Sequence, residues 1–323
     1  MASTIETSTE EDDVDPEIRT FVVALNHGYG QFSDFDVLPL PQRRAAAETV
    51  RRQWRTGGPV MAATRETTVA GCRVRIYRPV ETSKVQPAML YVHGGGWTMF
   101  SIDTHDRLMR EYAARAGVVV VGVDYSLSPE AKFPVALEEI VEVFRWMRRE
   151  AASLGVDPHR IAIGGDSVGA NMSVAACLWL RDAGEPTPAA MLLNYGAFDP
   201  GETPSYARYD GAAYMLNADE MHRFWANYTV GADAYADPLV APLKANLAGL
   251  PPTFLTVAEC DILADANREM AARLNAAGVP VEARTYPGAT HSFLEAVSIS
   301  RLADGAFDDA SRWLVERLRR DGS

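Results

Sequence analysis

The chain has 323 residues, 47% of them hydrophobic, which is enough for a sizeable core, and a formal net charge of −12 at pH 7. An acidic chain disfavours nucleic acid and an anionic membrane as partners. The longest apolar run, residues 116–123, is far shorter than a bilayer span, and the N-terminus lacks a basic start and an apolar stretch, so a cytoplasmic location is expected.

Residues 1–16 hold Glu6, Glu10, Glu11, Asp12, Asp13 and Asp15 with no Lys or Arg, and read as a solvated, disordered acidic tail. Helical signals follow over 17–54, which read as N-terminal helices outside the core. A strand-like run at 88–92 ends in His93-Gly94-Gly95-Gly96-Trp97. Another at 118–123 precedes a helix at 136–149. Residues 160–164 read as a short buried strand, then Gly165-Asp166-Ser167-Val168-Gly169, then a helix to 181. After a strand at 191–195, the segment 201–238 breaks the rhythm with many aromatics and a helix at 218–228. The strand at 253–258 leads to Glu259-Cys260-Asp261, a helix at 267–277 follows, and the strand at 281–286 leads to His291-Ser292-Phe293. A helix at 306–318 closes the chain. Strands alternating with helices predict a mostly parallel sheet covered on both faces, with 55–200 and 239–323 as the core and 201–238 inserted into it.

Ser167 falls on the strand-to-helix turn. Glycines two residues to either side remove Cβ atoms that would collide there, and the Oγ is presented at a helix N-terminus. A glycine-rich turn with an incidental serine is the plainer alternative. A dinucleotide fingerprint does not align, because Asp166 takes the place of the second glycine. The run Gly94-Gly95-Gly96 costs folding entropy and packs nothing, so it is kept where backbone must approach something closely. An oxyanion hole is such a place, where each donor contributes about 2.7–4 kcal/mol to stabilising developing charge. Gly95, Gly96 and Val168 are the candidate N–H donors.

A serine nucleophile needs a base and the base an orienting carboxylate. His291 lies at a late strand end, whereas His27, His105, His159 and His222 read as surface or locally satisfied. Asp261 caps the next helix or orients His291; Glu259, two residues earlier, is the alternative acid. The order Ser167, Asp261, His291 is the one expected of α/β-hydrolases. The aromatics of 201–238 read first as packing. A functional reading makes Phe224, Trp225 and Tyr228 walls of a substrate pocket, with Trp97 and Phe293 opposite.

These motifs, with Asp124-Tyr125-Ser126-Leu127-Ser128-Pro129-Glu130, resemble the hormone-sensitive-lipase family of bacterial carboxylesterases, and within it the acetyl esterase branch. The resemblance implies an α/β-hydrolase fold with a helical cap built from 17–54 and 201–238. It also implies Ser167 as nucleophile, His291 as base, Asp261 as acid, and short-chain acyl esters, from acetyl to about hexanoyl, as small-molecule substrates. The chain departs from the family at four positions. Val168 replaces the usual alanine, with a branched side chain able to narrow the site. Ala170 replaces a common glycine. Ser126 stands where arginine is frequent, removing an ion pair near Asp124. Ile262 replaces a proline. No metal or organic cofactor is expected, since no compact ligand set is visible. The odd count of three cysteines suggests reduced thiols. The sequence leaves room for a homodimer. An amidase or aryl acylamidase on the same triad, or a ligand- or protein-binding regulator on the same fold, are the rival functions.

Overall fold

The structure, a computed structural model, describes residues 13–319. The chain begins with α1 (Pro16–Tyr29), α2 (Leu40–Arg55), β1 (Ala63–Val69), β2 (Cys72–Arg78), β3 (Gln86–Val92), α3 (Asp106–Ala116), β4 (Val119–Asp124) and α4 (Val135–Arg149). A single turn, α5 (Ala151–Leu154), precedes β5 (Val156–Asp166), α6 (Val168–Asp182), β6 (Met191–Asn194), α7 (Pro204–Tyr209) and α8 (Ala218–Tyr228). The chain then completes its sheet with β7 (Thr253–Cys260), α9 (Ala264–Ala276), β8 (Val281–Thr290) and α10 (Arg301–Arg317).

One eight-stranded sheet runs in the order β1-β2-β4-β3-β5-β6-β7-β8. From β4 to β8 neighbouring strands are parallel, and the inner ones are apolar runs such as Ala88-Met89-Leu90-Tyr91-Val92 because helices bury both faces, whereas β8 at the edge alternates. β1 and β2, which the sequence reading did not pick out, form an antiparallel hairpin at the edge. Most of β1 is exposed and polar, so it carries no core signal. Its two-residue turn, Ala70-Gly71, has positive φ at both positions, the geometry that matches strand twist.

The expected acidic tail needs dividing. Residues 1–12 lie outside the described residues, whereas residues 13–16 belong to the fold. Asp15 caps α1 by accepting from the Glu17 and Ile18 amides at 2.9 and 3.1 Å, and its own N–H donates to the Gly288 carbonyl at 2.9 Å. Behind that cap, Ile18, Phe21, Val22 and Leu25 repeat at helical spacing and are buried. Phe21 meets Trp54 of α2 edge-on, with ring centroids 4.8 Å apart.

Three contacts seat α1, α2 and the 201–238 segment over the carboxyl ends of the strands. Arg44 of α2 donates to the Thr98 and Ser128 carbonyls at 2.8 and 2.9 Å and pairs with Glu130 at 2.8 Å. Lys132 donates to three carbonyls at the C-terminal end of α8, those of Ala226, Asn227 and Thr229, at 2.7–3.1 Å, where the helix dipole favours a cation. The Asn26 side chain ties α1 to the Ala212 carbonyl at 2.9 Å. Asp124 keeps an ion pair despite Ser126, because Arg73 arrives from β2 at 3.0 Å. Ser126 itself donates to Glu139 at 2.6 Å.

Candidate active site

Ser167 follows β5, Asp261 follows β7 and His291 follows β8, so three parallel strands deliver their side chains to one end of the sheet. The backbone at Ser167 sits at φ 56 and ψ −120, a conformation L-residues avoid. The flanking glycines make it attainable. A Cβ at Gly165 would lie 2.1 Å from the Val92 carbonyl oxygen, and one at Gly169 would lie 2.0 Å from the same atom.

The three side chains form a line. Asp261 Oδ2 accepts from His291 Nδ1 at 2.7 Å, which leaves Nε2 to accept from the Ser167 hydroxyl at 3.0 Å. Asp261 Oδ1 accepts from the Leu263 amide at 2.9 Å in the turn before α9, so its second oxygen holds the carboxylate in place against the imidazole. All three residues are buried, with 6% of Ser167, 1% of Asp261 and 6% of His291 exposed. The alternative acid is occupied elsewhere, since Glu259 accepts from the Gly288 amide at 3.0 Å.

Each glycine after His93 answers to a close neighbour. A Cβ on Gly94 would stand 2.3 Å from the Asp166 carboxylate, one on Gly95 2.2 Å from the Met99 carbonyl oxygen, and one on Gly96 2.2 Å from the Phe224 ring. Gly95 and Gly96 also hold φ of 112 and 61. Among the described residues the Gly95, Gly96 and Val168 amides donate to no protein acceptor.

Asp166, beside the serine, holds the base of this loop. Its Oδ1 accepts from the Gly94 amide at 3.2 Å and the Tyr91 hydroxyl at 2.8 Å, and its Oδ2 lies 3.2 Å from His105 Nε2. Burial alone would raise the Asp166 carboxyl, but the His105 imidazolium and the hydrogen bonds outweigh it and hold the pKa below the usual value. His105 responds in reverse: burial pulls it down, and Asp166 pulls it further up. His105 is therefore a satisfied histidine, though a buried one at the α3 N-terminus. His93 is pushed down to about 4, by burial first and then by the charge on His105, so it is neutral at pH 7. Its Nδ1 donates to the Gly94 carbonyl at 2.7 Å and its ring stacks on Tyr125, with centroids 4.3 Å apart.

Ser167 and His291 open on a cavity of about 360 Å³ beneath α1, α2 and α8. Gly95, Gly96 and Phe224 line it too; Asp261 and Val168 stand behind, and the buried Val168 side chain does not narrow it. Four expected pocket residues do not line it. Trp97 stacks on Tyr228 with centroids 4.2 Å apart and meets Trp225 at 4.6 Å, all three buried under α8. Phe293 packs against Tyr195 and Tyr286 at 5.8 and 5.6 Å. Consecutive helical residues point about 100° apart, so Phe224 faces the cavity while Trp225 faces the core. The remaining walls, including Tyr29, Arg43, Arg51, Met99, Phe100, Met215 and Met221, were not picked out from the sequence. They lie in the cap or the glycine loop, and no local motif marks them.

A parallel sheet with a strained serine turn at its carboxyl edge defines an α/β-hydrolase. The family described as alpha/beta hydrolase fold matches residues 89–295. An acetyl esterase of Salmonella paratyphi B is 34% identical over 275 residues, covering 83% of this chain and 84% of that protein. Among solved structures, the ester hydrolase EH1AB1 from the metagenome of Lake Arreo is 32% identical, with a TM-score of 0.87 over 94% of this chain and 98% of that one. The hyperthermophilic esterase of Pyrobaculum calidifontis is 30% identical, also with a TM-score of 0.87 and with coverage of 94% and 98%. The chain belongs to this α/β-hydrolase family, in its hormone-sensitive-lipase-type branch, and is a carboxylic ester hydrolase. Its substrates are small esters. Among the described residues no helix is long and apolar enough to cross a membrane.

Proposed function

We propose that the chain hydrolyses short-chain acyl esters, acetyl to about hexanoyl, through an acyl-enzyme on Ser167. The observation that carries this reading is the 3.0 Å contact between Ser167 Oγ and His291 Nε2, continued at 2.7 Å to Asp261. His291 takes the hydroxyl proton as Oγ attacks the ester carbonyl. Asp261 holds the ring and stabilises the imidazolium that forms. The Gly95, Gly96 and Val168 amides receive the oxyanion, having no acceptor of their own to give up. His291 then protonates the departing alcohol, and water repeats the cycle to release the acid.

In this reading 17–54 and 201–238 act as one roof over a core of 55–200 and 239–323, a division supported by the walls that both contribute to the cavity. Met99, Met221 and Phe224 give the cavity of about 360 Å³ an apolar wall on which an acyl chain can pack. Three buried free cysteines support a reducing, cytoplasmic location, with burial pushing the Cys72 and Cys260 thiols up to about 12. The test is a series of p-nitrophenyl esters from acetate to decanoate. kcat/KM is expected to peak at or below hexanoate, and a maximum at decanoate overturns the chain-length assignment.

A further inference from the structure

The cavity wall carries two guanidinium groups, both from α2, and they are not equivalent. Arg51 is 4% exposed and its charge is answered inside the protein. It pairs with buried Glu295, donates from Nε to the Tyr29 hydroxyl at 3.2 Å, and lies over the Phe100 ring at 4.1 Å. Arg43 has no such partner. Among the described residues its side chain makes no hydrogen bond or ion pair, its Nε is buried without an acceptor, and its guanidinium lies over the Phe35 ring at 5.4 Å. The adjacent Arg44, by contrast, is saturated by Glu130 and two carbonyls.

A buried guanidinium N–H without a protein acceptor is costly, and a ligand that accepts from it removes that cost. The carboxylates lining the cavity are engaged elsewhere. Asp166 is held by Tyr91, Gly94 and His105, and Glu220 closes a reciprocal cap with Asn217, accepting from its Nδ2 at 2.7 Å while the Glu220 amide donates back at 2.8 Å. Glu220 keeps its negative charge, since Asn217 is neutral; among the described residues Arg43 is the cavity-lining cation without a carboxylate partner. The two arginines stand about 12 Å apart along the helix axis. Arg51 marks the end near the glycine loop, because the Phe100 ring beneath it approaches within 2.8 Å of where a Gly95 Cβ would be. Arg43 lines the same cavity about two helical turns earlier on α2.

We propose that Arg43 is a specificity residue that recognises an anionic group, a carboxylate, at the end of the ester remote from the scissile bond. A guanidinium receives a carboxylate in a planar, two-pronged geometry that a neutral alkyl terminus cannot return. The inference rests on the esterase reading and narrows it: the preferred small ester carries a negative charge. That charge belongs to the acyl chain or to the alcohol, and the test separates the two.

Hydrolysis is followed by pH-stat on two matched pairs: monoethyl adipate against ethyl hexanoate, and ω-acetoxyhexanoate against hexyl acetate. The wild type is expected to favour the charged member of one pair, and that pair identifies the side carrying the carboxylate. Arg43→Gln is expected to lower kcat/KM for the favoured charged ester by at least about tenfold, mainly through KM. The loss on the neutral partner is expected to be several-fold smaller, so that the ratio of charged to neutral kcat/KM falls in the variant. Arg43→Lys, which keeps the charge without the fork, falls between, and added salt weakens the wild-type preference. Equal loss on charged and neutral esters in Arg43→Gln, or no wild-type preference in either pair, overturns the proposal. Neutral-ester turnover in the same runs tests the esterase reading separately.

Discussion

The carboxyl edge of the sheet and the cap above it solve different physical problems. At the sheet edge, backbone geometry decides. Ser167 is held at positive φ, and five glycines, 94–96, 165 and 169, each face an atom that a Cβ would strike at 2.0–2.3 Å. In the cap, side-chain packing decides. Helices α1, α2 and α8 contribute Tyr29, Arg43, Arg51, Met221 and Phe224 to the cavity, and none of these positions is enforced by the main chain. In the proposed mechanism the first region supplies the chemistry and tolerates almost no change of shape, whereas the second selects the ester and can be altered residue by residue.

Substitutions can break or sharpen this contrast. The largest effect is expected at the edge: Asp261→Asn keeps the shape but offers His291 Nδ1 an amide, favouring the wrong tautomer, and kcat should fall by about 10,000-fold. Steady-state kinetics with folding checked by circular dichroism reads this; a loss below tenfold places the orienting carboxylate elsewhere. Next comes the cap's buried face. Trp225→Ala removes a ring packed on Trp97 and should cost about 3–5 kcal/mol of stability while leaving the order of acyl-chain preference intact. Phe224→Ala, one residue away, should do the reverse. It should cost less in denaturant melts, because Phe224 is half-buried, yet shift the optimum toward longer acyl chains. If both variants change stability and selectivity alike, the division between packing face and cavity face fails.

The same contrast explains what could be read without coordinates. Ser167, Asp261, His291 and the glycine run were legible because strained turns and close backbone approaches leave a residue signature at fixed spacing. Strands β3 to β7 were legible as apolar runs and β8 as an alternating one, although β5 and β8 extend further than that signal, to Asp166 and Thr290. The β1–β2 hairpin was not, since an exposed edge strand has no hydrophobic pattern to show. The pocket walls were misassigned for a related reason. Trp97, Trp225, Tyr228 and Phe293 are the large aromatics one would choose, but size favours burial, and they pack against one another and the core instead. The residues that do face the cavity, such as Tyr29, Arg43, Arg51, Phe100 and Met221, lie on α1, α2, α8 and the stretch after the glycine loop, and which way they face depends on how the cap sits on the core. His105 likewise gave no sign of its partner, because Asp166 lies sixty-one positions away in sequence.

The central claim is that one hydroxyl, that of Ser167, carries the acyl group. The most direct measurement is reaction of the protein with an activated aryl phosphonate, with the modified peptide located by mass spectrometry and p-nitrophenyl acetate turnover followed alongside in wild type and Ser167→Ala. A single adduct on Ser167, with turnover in the folded variant reduced by about a millionfold, is the predicted result. An adduct on another residue, or near-wild-type turnover in Ser167→Ala, would contradict it.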